Sequence, residues 1–275
     1  LEYSKLFQNL VNDLGEVGVL LRQMDSAEGR AGNMSAELTR EHLDGLQLEL
    51  DAEWKSLPGE YPSLDGRFFV VTGSGKRLWQ IRDDPVGNLC IVRIGSEGKE
   101  FQIVWGGAGG VRPTSEFNSH LGVYAVREEI GQPTPVVIHA QPLHLTTLSH
   151  SPEFAEQTAY NRAIFCWQPE TIVLIPDGIG FIAYQIPGTS EQETATAAAF
   201  RKHELVVWAK HGVVSIGPDL MSAFDLIDIT EVVARYFFLN RSSGLNAPGF
   251  TPQELKEICD RFDIESPMLE EWLEK

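Results

Sequence analysis

Strand-like runs crowd the middle of this chain and follow one another with turn residues, not helical periodicity, between them. Residues 67–72 (Arg-Phe-Phe-Val-Val-Thr) run into Gly73-Ser74-Gly75-Lys76, and residues 88–94 and 101–105 read as a strand pair turning at Gly95-Ser96-Glu97-Gly98. Parallel neighbours need a long crossover, usually a helix, so a sheet built from these runs is not purely parallel. Further strands are predicted at residues 136–139, 171–175, 180–184 and 205–208. Leu6, Phe7, Leu10, Val11, Leu14, Val17 and Leu21 recur at helical spacing and predict an amphipathic N-terminal helix ending before Gly29. Pro113-Thr114-Ser115-Glu116 opens a helix that carries Phe117, Leu121, Tyr124 and Ala125 on one face. Ser190 with Glu193 predicts a capping box for a helix over 191–203, and Asp219 the cap of a helix through Leu239. The elements imply an α/β fold layered helix, sheet, helix around a mixed sheet. Residues 26–35 are turn-rich, and the charged, Leu-spaced stretch 38–54 fits either a helix or an irregular insertion.

No Ser/Gly/Pro-rich linker, low-complexity tract or internal repeat interrupts the 275 residues, which are expected to form one domain. A net charge of -17 argues against nucleic acid or an anionic membrane as partner, since both require a positive field. A phosphorylated ligand would therefore need a local nest of donors. Cys90, Cys166 and Cys259 are odd in number and widely spaced, which points to a reducing compartment, the cytoplasm, over a disulfide framework. The apolar patch 17–21 is too short, and lacks the basic lead-in, for a secretory leader or a membrane span.

Two of the apolar runs deliver a histidine at their carboxyl ends: Val136-Val137-Ile138-His139, and Leu205-Val206-Val207-Trp208 followed by Ala209-Lys210-His211-Gly212. A buried imidazole must satisfy both nitrogens, and a shared metal would satisfy one on each ring. His144 is the candidate for a third nitrogen, although Pro142 makes the step from His139 a turn of unknown direction; Gln141 offers only an amide oxygen. Glu116 lies one helical turn before His120, and the two are either an intrahelical contact or a pocket pair. Gly73-Ser74-Gly75-Lys76 is either an anion nest or a glycine-rich hairpin end, while Thr114 and Ser115 add hydroxyls at a helix start.

In order and spacing these segments resemble the class II aldolase/adducin family. The resemblance rests on Phe-Val-Val-Thr-Gly-Ser-Gly-Lys ending at Lys76, Pro113-Thr114-Ser115-Glu116, Ile138-His139, Ile175-Pro176-Asp177-Gly178 and Trp208-Ala209-Lys210-His211-Gly212-Val213, with Ala31-Gly32-Asn33 upstream and little signal over 36–66. It implies an αβα sandwich with a mixed, mostly antiparallel sheet, a homotetramer with zinc or another divalent metal at a subunit boundary, and retro-aldol cleavage of a phosphorylated sugar. The implied substrate is a ketose 1-phosphate such as L-rhamnulose 1-phosphate, giving dihydroxyacetone phosphate and an aldehyde. By position it implies His139 and His211 as metal ligands, with His144 a possible third, and Glu116 and Glu170 as catalytic carboxylates. Asn33, Ser74, Gly75, Thr114 and Ser115 match phosphate contacts. Two positions depart: the family's His-x-His pair reads His139-Ala140-Gln141, and Arg30 replaces a loop asparagine near the phosphate. Epimerisation or dehydration of a sugar phosphate on the same scaffold, and a metal-free adducin-like interaction module, are the alternatives.

Overall fold

The computed structural model describes residues 3–274. Along the chain run α1 (Lys5–Gln23), β1 (Asn33–Leu38), α2 (Arg40–Leu43), β2 (Lys55–Ser56), β3 (Phe68–Thr72), α3 (Pro85–Asn88), β4 (Leu89–Gly95), β5 (Glu100–Trp105), α4 (Phe117–Glu129) and β6 (Val136–Ala140). They continue with α5 (Leu143–Leu148), α6 (Gln157–Phe165), α7 (Pro169–Leu174), β7 (Gly180–Ile182), α8 (Ser190–Ala199), β8 (Leu205–Trp208), β9 (Gly212–Gly217), α9 (Leu220–Ser243), α10 (Pro252–Phe262) and α11 (Pro267–Leu273). The strands form a nine-stranded sheet in the order β2-β5-β4-β3-β1-β6-β9-β8-β7. Every neighbouring pair is antiparallel except β7 with β8. The expected mixed, mostly antiparallel sheet is therefore present.

Both faces of the sheet are buried, which explains why its central strands read as continuous apolar runs. Ile138, Leu205 and Val207 belong to a core shared with Phe7, Leu14 and Val17 of α1 and Phe224, Ile227 and Val233 of α9. Val137, Val206 and Trp208, pointing the other way, pack with Phe117, Leu121 and Tyr124 of α4 and Phe200 beyond α8. The layers are thus α1 with α9, the sheet, and α4 with α8. Asp219 caps α9 as expected, accepting from Ser222 N. No helix among the described residues is long and apolar enough to cross a membrane.

Three local expectations fail for identifiable reasons. Residues 33–38, read partly as turn and partly as helix or insertion, form β1 in the sheet centre between β3 and β6. Asn-Met-Ser-Ala-Glu-Leu alternates polar and apolar residues at period two, but its polar side is buried against α4 and not in solvent, and it lacks β-branched residues. The run predicted as a strand at 171–175 lies mostly in α7, because Pro169 occupies the first turn and a short apolar run fits either structure. The cap of α8 is Thr189, accepting from Gln192 N, which moves Ser190 inside the helix; the helix stops at Ala199, short of His203.

Antiparallel pairing brings the amino ends of β1 and β9 and the carboxyl ends of β3, β6 and β8 to one edge of the layered structure. Asn33 is registered opposite His139, and Thr72 Oγ1 accepts from Met34 N at 3.0 Å. The Thr114 N–H bonds the Thr72 carbonyl at 3.1 Å, so the start of α4 is fastened at the same edge.

Candidate metal centre

His139 closes β6 with its ring buried, and its Nδ1 lies 2.9 Å from the carbonyl of Val213 on the adjoining strand. A carbonyl only accepts, so Nδ1 carries the proton and Nε2 presents a lone pair. That lone pair faces Glu116 Oε2 at 3.6 Å. His211 arrives from a tight turn between β8 and β9, in which its N–H bonds the Trp208 carbonyl at 3.0 Å and Lys210 adopts a φ of 65°. Its Nε2 lies 3.4 Å from Glu116 Oε1. Trp208 backs both rings, with centroids 4.8 Å from His139 and 5.2 Å from His211.

One ligand atom from each of Glu116, His139 and His211 lies within 4.8 Å of the others. Burial, then the neighbouring His139, pulls His211 down to about 4 against the opposing pull of Glu116, so its ring is neutral at neutral pH. Burial pushes Glu116 up, but its contacts with the neighbouring His139 and His211 rings and with the Asn33 amide outweigh it, holding the carboxyl below its ordinary range. Glu116 Oε1 is buried without a hydrogen-bond donor. A buried carboxylate with one oxygen lacking a donor, standing beside the His139 Nε2 lone pair, suits a cation placed between them, and two imidazole nitrogens next to a carboxylate are surroundings that zinc and related divalent ions accept. The residues fit a metal.

The structure places His144 away from this cluster, correcting the expected third nitrogen. Its ring bonds Glu231 of α9 at 2.6 Å, and the same carboxylate accepts the backbone N–H groups of His144 and Leu145 at the start of α5. The Pro142 turn directs His144 to α9 because an otherwise orphaned helix start is capped there. Gln141, by contrast, lies beside the cluster: a Cβ added at Gly212 would stand 3.0 Å from His139 Cε1 and 3.2 Å from Gln141 Cγ. Glu170 is exposed in the first turn of α7 and bonds to none of these groups within the chain.

The positions matched to phosphate contacts divide. Ser74, Thr114 and Ser115 line a cavity of about 360 Å³ together with Lys55 and Arg112. Gly75 and Arg30 line another, with Lys76 and Arg77, on the other side of the same turn. Arg30 Nη1 lies 3.9 Å from where a Gly75 Cβ would stand. Within the turn the N–H groups of Gly73, Ser74 and Lys76 already bond carbonyls of Asn88, Arg112 and Gly73, which narrows the expected nest to the Gly75 N–H and the surrounding side chains. Asn33 stands in neither cavity; its amide is committed to Glu116 Oε2 at 2.7 Å and to His120 Nε2 at 2.6 Å. His120 turns away from Glu116 and also meets Ser35 Oγ at 2.7 Å, which in turn meets the Tyr124 hydroxyl at 2.7 Å. Ser35 carries no expectation from the sequence, and Tyr124 is expected only on the apolar face of its helix; the polar alternation of β1 is the available signal.

Residues 12–238 match the Class II Aldolase and Adducin N-terminal domain. The chain is 32% identical over 240 residues to a rhamnulose-1-phosphate aldolase of Pectobacterium atrosepticum, covering 86% of this chain and 87% of that protein. It is 30% identical over 230 residues to one from Listeria monocytogenes, covering 82% of this chain and 81% of the relative. Among solved structures, a sugar-phosphate aldolase from Thermotoga maritima superimposes with a TM-score of 0.75 at 27% identity, covering 88% of this chain and 99% of that one.

Proposed function

Since this chain belongs to the class II aldolase and adducin family, we propose that it is a metal-dependent aldolase cleaving a ketose 1-phosphate, with L-rhamnulose 1-phosphate as the leading substrate. The products are dihydroxyacetone phosphate and an aldehyde, L-lactaldehyde for that substrate. The observation that carries this reading is the convergence of Glu116, His139 and His211 on one point. His139 Nε2 and His211 Nε2 would hold the cation, zinc or another divalent ion, with Glu116 Oε1 facing it. Bound there, it supplies a Lewis acid for the negative charge that develops on substrate oxygen as the carbon–carbon bond breaks.

The chain's own groups divide the remaining work. The Val213 carbonyl keeps His139 in the tautomer that leaves Nε2 free. Asn33 occupies Oε2 of Glu116, so the carboxylate exchanges its proton at Oε1, on the side of His211. Ser74, Thr114 and Ser115 supply hydroxyls for the phosphate, with the Gly75 N–H and Arg30 across the turn. Glu170, exposed on α7, would complete the site from a neighbouring subunit of a homotetramer as the second proton-transfer group. The cysteines are unpaired, which accords with a cytoplasmic enzyme.

Release of dihydroxyacetone phosphate from L-rhamnulose 1-phosphate by the metal-loaded protein tests the assignment, with Glu116→Gln expected to bind metal yet turn over slowly. Gln141 at the family's imidazole position favours one rival, an adducin-like module without metal. Protein that retains no divalent ion and releases no product would overturn the aldolase reading and leave that rival standing.

A further inference from the structure

Beneath Glu116 a chain of polar groups runs into the molecule, and the hydrogen budget of its members fixes the direction in which each bond points. Glu116 Oε2 accepts from Asn33 Nδ2 at 2.7 Å, which turns Asn33 Oδ1 toward His120 Nε2 at 2.6 Å. An amide oxygen only accepts, so His120 must carry its proton on Nε2. The His120 ring is fully buried and, among the described residues, bonded only to uncharged Asn33 and Ser35, so it is neutral and Nδ1 has only a lone pair. Ser35, 2.7 Å away, therefore spends its one proton on His120 Nδ1 and must accept at its oxygen from the Tyr124 hydroxyl, also at 2.7 Å. Tyr124, Ser35, His120 and Asn33 are all buried, and among the described residues these bonds leave no polar atom of the Ser35, His120 and Tyr124 side chains without a partner. The reverse direction would require a proton on Glu116 Oε2 and would leave the buried Tyr124 hydroxyl with no acceptor for its own proton.

From this we infer that Tyr124, Ser35, His120 and Asn33 are positioning residues, a one-way donor chain ending on Glu116 Oε2 that locks the carboxylate's rotamer and confines its chemistry to Oε1. The inference rests on the proposed role of Glu116 for its functional consequence, but not for the direction of the bonds. Successive donors polarise one another, so removing the far end weakens the last bond even though nothing at the site is touched. Among the described residues, Tyr124 and Ser35 hydrogen-bond neither Glu116 nor either imidazole of the cluster.

Two measurements test it. In protein labelled with nitrogen-15 histidine, with His120 assigned through His120→Gln, the ring should be the neutral Nε2–H tautomer; an Nδ1–H tautomer or an imidazolium at neutral pH would overturn the direction of the chain. Tyr124→Phe keeps the ring that packs 4.7 Å from Phe69 and removes only the hydroxyl. It and Ser35→Ala should lower kcat about tenfold while KM and the metal dissociation constant stay within about twofold. Wild-type kcat in a folded Tyr124→Phe protein overturns the positioning role. If the wild type binds no metal and releases no product, the proposed function fails, and the tautomer alone still decides the bonding.

Discussion

Adding one methyl group at Gly212 should loosen the candidate site without removing any ligand. Gly212 opens β9, directly after His211, and a Cβ there would stand 2.3 Å from the carbonyl oxygen of Ala140 and 3.0 Å from Cε1 of His139. The first neighbour is backbone of β6, which no side-chain rotation relieves, so in Gly212→Ala the strands β6 and β9 must separate by roughly an ångström at their paired ends. Overpacking of this kind costs about 2 kcal/mol, which for a chain of this length lowers the melting temperature by roughly 4–8 °C. Because His139 sits on one of the displaced strands and His211 borders the other, metal affinity should fall by about tenfold or more. Differential scanning fluorimetry with chelator and with added zinc, plus calorimetric titration, reads both quantities. Gly109→Ala, where an added Cβ meets nothing within 4 Å, is the control and should match the wild type. Wild-type melting and affinity in Gly212→Ala would refute the argument that close strand approach sets the spacing of the imidazoles.

Gln141→His should bind zinc on the order of tenfold to a hundredfold more tightly, since the side chain lies beside His139 and would restore a third imidazole; equilibrium competition with a chromophoric chelator measures it. Lys210→Gly should raise the melting temperature by about 2–4 °C, because Lys210 holds a φ of 65° in the turn before His211 and left-handed backbone costs a non-glycine residue about 1 kcal/mol. Acid should destabilise the metal-free protein as pH falls from about 6.5 to about 4: the unfolded His211 imidazole takes up its proton near 6.5, whereas the folded one resists until about 4. Thermal melts across that range, with His211→Gln flattening the slope, check the sign.

What could be read without coordinates follows from burial. β3, β4, β5, β6, β8 and the cap of α9 were legible because their residues face apolar layers or a helix start, environments that leave a local mark on composition. His139 and His211 stood out for the same reason, as polar residues ending apolar strands. β1 was missed because its polar side is satisfied by α4, some 80 residues later in the chain, through pairs such as Asn33 with Glu116 and Ser35 with His120. His144 was misjudged because the direction of the Pro142 turn depends on Glu231, a carboxylate 87 residues away that caps α5. α7 was mistaken for a strand because Thr-Ile-Val-Leu-Ile suits either structure, and packing of α7 on α9 and α10, not propensity, made it helical.

The account turns on whether His139 and His211, beside Glu116, hold a metal, and elemental analysis after dialysis against limiting zinc measures that directly. One divalent ion per wild-type chain is expected, with almost none retained by His139→Ala or His211→Ala that remain folded. Zinc bound equally well by all three proteins, or by none, would contradict it.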